Sequence, residues 1–201
     1  MNARGFGTQK RVKDMDESKK KRILSPERLE RMDSEELMAR LNLSGDETLV
    51  DAGAGPGAFA FRFAKELPQG RVFAVDIDTA LLAGIAAQAE AEDITNIVTV
   101  EAEKLDIPAA SADIVFCCTV LHEVAKKEAF LSDYYRLLKH GGRIFIVEFV
   151  SGRRSMDPSD RGMRAFIPPE QTECLLATAG FTAISSENIN PLIYLTIASK
   201  P

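Results

Sequence analysis

Hydrophobic residues along the chain follow two alternating patterns, which predict strands and helices in turn. Short segments rich in apolar residues predict strands over 48–51, 71–76, 96–100, 113–118 and 143–150, and the fourth shows no polar alternation, as expected when both faces are covered. Between these segments, apolar side chains spaced four apart predict helices. Phe59, Phe63 and Leu67 mark the first helix, and an Ala- and Leu-rich segment over 79–92 forms the second. This order predicts a parallel sheet with helices on both faces.

A helix before the fifth strand is marked by Phe130, Tyr134, Leu137 and Leu138. We expect it to stop at the paired glycines Gly141 and Gly142, where glycine supplies a left-handed cap. The fifth strand then begins at residue 143.

The C-terminal segment departs from the parallel pattern. A helix over 170–179 is predicted to end at Gly180, and two strands follow over 183–189 and 192–199. Too few residues separate these strands for a parallel crossover, so they should pair antiparallel. The predicted fold is α/β, a doubly wound, Rossmann-like sheet of seven strands, mostly parallel and closed by an antiparallel hairpin.

Charge is distributed unevenly along the chain. Residues 1–31 hold ten Lys or Arg against five Asp or Glu, whereas the remaining 170 residues carry a net charge of −10. The basic segment is open to interpretation as a nucleic-acid arm, but an acidic body repels phosphate backbones. We therefore expect a solvated, partly mobile leader and no nucleic-acid partner.

Composition narrows the class of protein further. A chain of 201 residues that is 45% hydrophobic fits one domain. Its apolar runs are shorter than the roughly 18 residues of a membrane span, and its first 30 residues are too charged for a signal peptide, so we expect a cytoplasmic protein. The three cysteines show no CxxC spacing, and this favours reduced thiols without a disulfide framework or a metal site.

Three glycines, Gly53, Gly55 and Gly57, follow the first strand, and Asp51 stands directly before them. Ligands of such sheets bind at the carboxyl ends of the strands. The turn also fits a loose dinucleotide pattern with Asp76 about twenty residues on, so a nicotinamide-dependent oxidoreductase is one interpretation. However, a pyrophosphate requires positive potential, which Asp51 opposes.

A cofactor with an ammonium group reverses that requirement, and S-adenosylmethionine has one. Asp51 would attract the ammonium, and the glycine backbone would approach the amino-acid part closely. Asp76 would accept from the ribose hydroxyls. Either Glu101 or Glu103 would meet the adenine amino group, with the small Ala102 against the ring. The spacing thus accounts for each part of this ligand.

These motifs resemble those of class I S-adenosylmethionine-dependent methyltransferases, of the small type 11 or ubiquinone/menaquinone-biosynthesis-like kind. The resemblance covers about residues 24 to 199, and its motifs are Val50-Asp-Ala-Gly-Ala-Gly-Pro-Gly57, Ala74-Val-Asp-Ile-Asp78, Asp113-Ile-Val-Phe-Cys-Cys-Thr-Val-Leu-His-Glu-Val124 and Tyr135-Arg-Leu-Leu-Lys-His-Gly-Gly-Arg143. It implies that the glycine turn binds the methionine end and that Asp76 binds the ribose. Residues 101–103 would hold the adenine. Ile77, Cys117 and Cys118 join the implied cofactor-binding residues.

His122 is the candidate catalytic residue, because it lies just past the fourth strand, where an acceptor would approach. An imidazole suits the removal of a proton from an acceptor oxygen or nitrogen. The alternative is a polar residue that caps the pocket or starts a helix. Four arginines in the long polar segment, Arg153, Arg154, Arg161 and Arg164, are candidates for contact with an anionic acceptor.

The sequence therefore predicts methyl transfer from S-adenosylmethionine to a small-molecule acceptor, leaving S-adenosylhomocysteine. An S-adenosylmethionine-binding protein without catalysis remains an alternative beside the oxidoreductase. The expected organisation is a leader over 1–23 and a single domain over 24–201. That domain comprises a helical cap over 24–45, a cofactor-binding half over 46–150 and an acceptor-side segment over 151–201.

Overall fold

A computed structural model describes residues 17–150 and 166–201. Its strands are β1 (Thr48–Ala52), β2 (Arg71–Asp76), β3 (Ile97–Glu101), β4 (Ala112–Cys118), β5 (Leu138–Phe149), β6 (Thr182–Asn188) and β7 (Ile193–Ser199). Its α-helices are α1 (Glu17–Ile23), α2 (Pro26–Arg31), α3 (Ser34–Leu41), α4 (Ala60–Glu66), α5 (Thr79–Ala91), α6 (Lys127–Leu137) and α7 (Pro169–Thr178). A 3₁₀ turn spans Leu121–Glu123.

The seven strands form one sheet in the order β3-β2-β1-β4-β5-β7-β6. Strands β1 to β5 pair in parallel, whereas β7 runs antiparallel to both β5 and β6. The predicted doubly wound sheet and its antiparallel hairpin are thus confirmed. The chain order reverses between β1 and β4, so the carboxyl ends of these two strands border the crevice where such folds bind ligands.

Two apolar layers cover the two faces of the sheet. On one face, Phe59 and Phe63 pack against Phe116 of β4, with ring centroids 4.9 and 5.0 Å apart. On the other face, Leu131 of α6 and Leu176 of α7 are fully buried in the second cluster. Because both faces are covered, the central strands have the unbroken apolar runs seen in the sequence.

The start of β5 differs from the prediction. Helix α6 ends at Leu137, and Leu138 already pairs with Ala112 of β4, five residues before the predicted strand. A register shift between Ala112 and Ile114 accommodates this early pairing. Gly141 has the predicted left-handed backbone, with φ of 75°, but it lies inside β5. The prediction that it caps the helix is therefore wrong.

The N-terminal helices α2 and α3 differ in whether a side chain caps their first turn. Ser25 accepts a hydrogen bond from the N–H of Arg28 and starts α2. Asp33 precedes α3 but does not cap it, because its carboxylate accepts from the side-chain amide of Asn190 at 2.6 Å. This contact joins the N-terminal helical segment to the turn between β6 and β7.

Two predicted regions are only partly described by the structure. Residues 17–23 of the leader form α1, whereas residues 1–16 lie outside the described residues. Arg153, Arg154, Arg161 and Arg164 also lie outside them, within 151–165. In the described parts of the chain, no helix is both long enough and apolar enough to span a membrane.

Candidate active site

The glycine turn after β1 lies tightly between two neighbouring segments. The N–H groups of Gly53 and Ala54 both donate to the carbonyl of Val75 in β2, at 2.8 and 2.9 Å. Gly53 has φ of +82°, and a Cβ there would lie 2.4 Å from Cγ2 of Val120, in the loop after β4. Only glycine fits this position. The turn therefore presents bare backbone to the crevice.

Asp51 stands at the end of β1 with its carboxyl group buried, at 3% relative exposure. Burial and, to a smaller extent, the charge of Asp76 raise the pKa of Asp51 to about 8, although a hydrogen bond from the backbone of Ala60 partly opposes them. Among the described residues, the Oδ2 atom of Asp51 has no hydrogen-bond partner. A buried carboxyl of this kind is a ready partner for a cationic or hydrogen-bond-donating ligand group.

Asp76 ends β2 and holds the glycine turn in place. Its Oδ2 accepts from the N–H of Gly55 at 2.8 Å, and its Oδ1 accepts from the N–H of Asp78 at 2.9 Å. Burial also raises the pKa of Asp76. Asp78, which the sequence analysis did not single out, caps α5 by accepting from Ala80 and Leu81.

The segment after β3 lies beside Asp76. Glu101 is the register partner of Asp76, and the N–H of Ala102 donates to the carbonyl of Asp76 at 2.9 Å. The half-exposed side chain of Glu101 forms an ion pair with Lys104 at 2.8 Å. Glu103 points into solvent as an exposed residue. Ile77 is one of the few large apolar residues with substantial exposure, at 37%.

The two adjacent cysteines lie on opposite faces of β4. Cys117 has no exposed surface and packs in the cluster with α6 and α7. Cys118 is partly exposed and packs against the other cluster, on the face of Asp51. The difference follows from the period of two in a strand, which places neighbours on opposite faces.

His122 lies in the 3₁₀ turn after β4 and is held by a carboxylate. Its Nδ1 is 2.7 Å from Oε2 of Glu148, and its backbone N–H donates to Oε1 of the same residue at 3.1 Å. Glu148 is fully buried near the end of β5. The side chain of His122 is only 2% exposed, and its Nε2 has no hydrogen-bond partner in the described structure, although Oε1 of Glu123 lies 3.8 Å away.

The sheet thus gathers most of the predicted site residues along one edge. Asp76 and Glu101 end their strands, Asp51 lies one residue before the end of the neighbouring β1, and His122 follows the next strand across. Sequence reasoning missed Glu148, although a single carboxylate in the apolar run Ile144-Phe-Ile-Val-Glu-Phe149 was a signal. Within residues 17–150 and 166–201, no cluster of His, Cys, Asp or Glu could hold a metal ion.

Several known proteins are similar in sequence to this chain. Residues 50–146 match the methyltransferase domain family. The ubiquinone/menaquinone biosynthesis C-methyltransferase UbiE of Syntrophotalea carbinolica is 28% identical over 110 residues, which are 54% of this chain and 46% of that protein. Its counterpart from Rhizobium johnstonii is 33% identical over 105 residues, 50% of this chain and 41% of that protein. The matched segment thus spans less than half of each curated relative.

Solved structures share the fold over most of the chain. An S-adenosylmethionine-dependent methyltransferase from Aquifex aeolicus has a TM-score of 0.82 at 20% identity, covering 93% of this chain and all of that one. Phosphoethanolamine N-methyltransferase 2 of Haemonchus contortus, solved with S-adenosylmethionine, has a TM-score of 0.68 at 19% identity, covering 79% of this chain and 50% of that one. Residues 50–146 thus belong to the methyltransferase domain family, and the chain shares its fold with solved S-adenosylmethionine-dependent methyltransferases.

Proposed function

We propose that the protein transfers the methyl group of S-adenosylmethionine to a small-molecule acceptor whose nucleophilic atom loses a proton. The observation that carries the proposal is the buried imidazole of His122. Its Nδ1 lies 2.7 Å from Oε2 of Glu148, and its Nε2 has no hydrogen-bond partner among the described residues. A carboxylate at Nδ1 fixes the proton there and leaves Nε2 as the acceptor of a substrate proton.

The methionine end of the cofactor would lie against the glycine turn. The Oδ2 atom of Asp51, which has no partner, fits an ammonium group. Gly53, Gly55 and Gly57 leave room for close approach of the amino-acid part. A pyrophosphate at the same place would meet this carboxyl group, so the nicotinamide interpretation is disfavoured.

The ribose and adenine would follow along the edge of the sheet. Each oxygen of Asp76 accepts one backbone hydrogen bond and keeps further capacity for a ribose hydroxyl. We favour Glu101 over Glu103 for the adenine amino group, because Glu101 is the register partner of Asp76. Ile77 and Ala102 would offer apolar surface beside the ring, and Cys118 lies on the same face of the sheet as Asp51.

The residues of the chain contribute to the reaction by positioning the acceptor and by accepting its proton. Bound S-adenosylmethionine supplies an electrophilic methyl group. His122 takes the proton from the acceptor through Nε2, and Glu148 stabilises the resulting imidazolium. The acceptor must be aligned with the methyl carbon in a site from which water is excluded.

The two UbiE proteins named above are carbon methyltransferases by name. A carbon nucleophile next to a hydroxyl or carbonyl group needs a base to release its proton, which matches the His122–Glu148 pair. We therefore include activated carbon, beside hydroxyl oxygen, in the proposed acceptor class.

Transfer of labelled methyl groups to fractionated cell extract tests the proposal. We expect label in the small-molecule fraction, a loss of at least about 100-fold with His122→Ala, and full transfer with the control His140→Ala, which changes the other, exposed histidine. S-adenosylhomocysteine should still bind His122→Ala. Label in protein or nucleic acid would contradict the acceptor class, and binding without any transfer would indicate a non-catalytic binding protein.

A further inference from the structure

Arg28 links the N-terminal cap to the edge of the sheet that carries the site. It lies in the middle of α2 and is half-buried, and its Nη2 donates to Oγ1 of Thr119 at 3.3 Å. Thr119 follows β4 directly, 91 residues further along the chain. A guanidinium group is thereby delivered to the carboxyl end of the strand next to β1.

The segment that Arg28 contacts packs on the glycine turn. Val120, which follows Thr119, approaches Gly53 so closely that a Cβ on the glycine would lie 2.4 Å from its Cγ2 atom. Thr119 itself has a left-handed backbone, with φ of 57°, and its N–H donates to the carbonyl of Val147 at 2.7 Å. Thr119 is a β-branched residue held in a strained conformation, so its position is fixed. Its hydroxyl oxygen accepts the hydrogen bond of Arg28 at that position.

A guanidinium group and a carboxyl group that can ionise therefore flank the same part of the crevice. Cys118 is close enough to both groups to respond to them, because the charge of Arg28 lowers the pKa of its thiol and that of Asp51 raises it, within a larger rise caused by burial. The Oδ2 atom of Asp51 is buried and has no partner among the described residues. An α-amino acid carries the complementary pair of charges, an ammonium and a carboxylate on one carbon.

We propose that Arg28 binds the α-carboxylate of the cofactor's methionine part while Asp51 binds its ammonium group. This proposal rests on the place given to the cofactor under the proposed function. The planar guanidinium is suited to a carboxylate, with which it forms two parallel hydrogen bonds. Helix α2 would then contribute directly to cofactor binding, in addition to covering the crevice.

Two ligands separate this role from general support of the fold. S-adenosylhomocysteine has the amino-acid part, whereas 5′-methylthioadenosine keeps the adenosine and lacks both the ammonium and the carboxylate. A third ligand, S-adenosylhomocysteine without its carboxylate, isolates the contribution of that group.

The experiment is calorimetric titration of the full chain with these ligands, in the wild type, Arg28→Gln, Arg28→Lys and Arg31→Gln. Arg31 is a matched control, because it is an exposed arginine in the same helix. We expect Arg28→Gln to weaken S-adenosylhomocysteine at least about tenfold and to leave 5′-methylthioadenosine within about twofold. Arg28→Lys should recover part of the loss, and Arg31→Gln should match the wild type.

Equal weakening of both ligands by Arg28→Gln would overturn the proposal, because it would indicate a structural role, and so would unchanged binding of S-adenosylhomocysteine. If Arg28→Gln does not fold, the wild type decides. Removing the carboxylate from S-adenosylhomocysteine should then weaken its binding at least about tenfold, and more in the wild type than in Arg28→Lys. All titrations are done without a methyl acceptor, so failure of methyl transfer would not affect their outcome.

Discussion

His122, in the turn after β4, and the carboxylate of Glu148, in β5, form a two-point contact. Oε2 is 2.7 Å from Nδ1, and Oε1 accepts the backbone N–H of His122 at 3.1 Å. Both oxygens of one buried carboxylate therefore serve the same residue. This arrangement fixes the rotation of the ring as well as the position of its proton, and it leaves Nε2 as the free nitrogen.

The first prediction concerns the tautomer of His122. We expect ¹⁵N resonances of the neutral imidazole to show the proton on Nδ1 and none on Nε2. In Glu148→Gln, the side-chain amide can also donate to Nδ1, so the two tautomers should mix and methyl transfer should fall by about 10- to 100-fold. The exposed His140 serves as an internal reference. An unchanged tautomer with unchanged transfer in Glu148→Gln would show that the carboxylate does not orient the base.

The second prediction links cofactor binding to a proton. Asp51 has a pKa of about 8 without ligand, because of its burial and of Asp76, so it is largely protonated at pH 7. Pairing with an ammonium requires the ionised form, and binding of S-adenosylhomocysteine at pH 7 should release close to one proton. Calorimetry in two buffers of different ionisation enthalpy measures this number. Asp51→Asn should bind at least about tenfold more weakly and release none.

The third prediction concerns stability without ligand. The pKa of Asp51 is higher in the folded state than in an unfolded chain, so folding favours its protonated form. The stabilisation is fully present below about pH 4, is lost as pH rises, and is gone above about pH 8, at up to about 1.4 kcal/mol per pH unit. Urea unfolding at pH 5 and pH 8 should show this loss in the wild type. Asp51→Asn should have a flatter profile, and parallel profiles would contradict the shift.

The fold was predictable because its central strands are covered on both faces, and unbroken apolar runs record that burial locally. Asp51 and Asp76 were predictable for a related reason, since each ends such a run. Glu148 was not, because its partner His122 lies 26 residues away in the chain and meets it only through the pairing of β4 with β5. Tertiary pairing, unlike burial, leaves no periodic signal in the sequence.

Local rules also failed where a distant group competed for the same atoms. Asp33 stands at a position typical of a helix cap, yet its carboxylate accepts a hydrogen bond from the side-chain amide of Asn190. The local sequence predicts Leu138 at the end of a helix, yet Leu138 pairs with Ala112 of β4 and begins β5. In both cases a tertiary hydrogen bond replaces one that the local sequence favours.

The fourth prediction separates the three cysteines by reactivity. Cys174 is exposed, Cys117 is buried, and Cys118 is partly buried. Burial raises the pKa of Cys118 to about 12 and that of Cys117 well above its ordinary value. Because the thiolate is the reactive form, iodoacetamide at pH 7.5 should label Cys174 and leave the adjacent pair unmodified until the protein unfolds. Peptide mass spectrometry of native and urea-treated protein tests this order, and rapid native labelling of Cys118 would contradict it.

The fifth prediction tests the close packing of the glycine turn. A Cβ at Gly53 would meet Val120 at 2.4 Å and would require a left-handed backbone. We expect Gly53→Ala to reduce the free energy of unfolding by about 1–3 kcal/mol and to weaken cofactor binding, because the turn and the loop after β4 must move apart.

Two further variants give this change a control and a partial rescue. Gly84 lies in α5 with nothing within 4 Å of an added Cβ, so Gly84→Ala should stabilise the protein by about 0.4–1 kcal/mol. Val120→Ala removes the methyl groups that an alanine at Gly53 would meet, so the double variant should lose less than the sum of the two single losses. Strict additivity in chemical denaturation would mean that backbone strain at Gly53, and not its contact with Val120, excludes a side chain there.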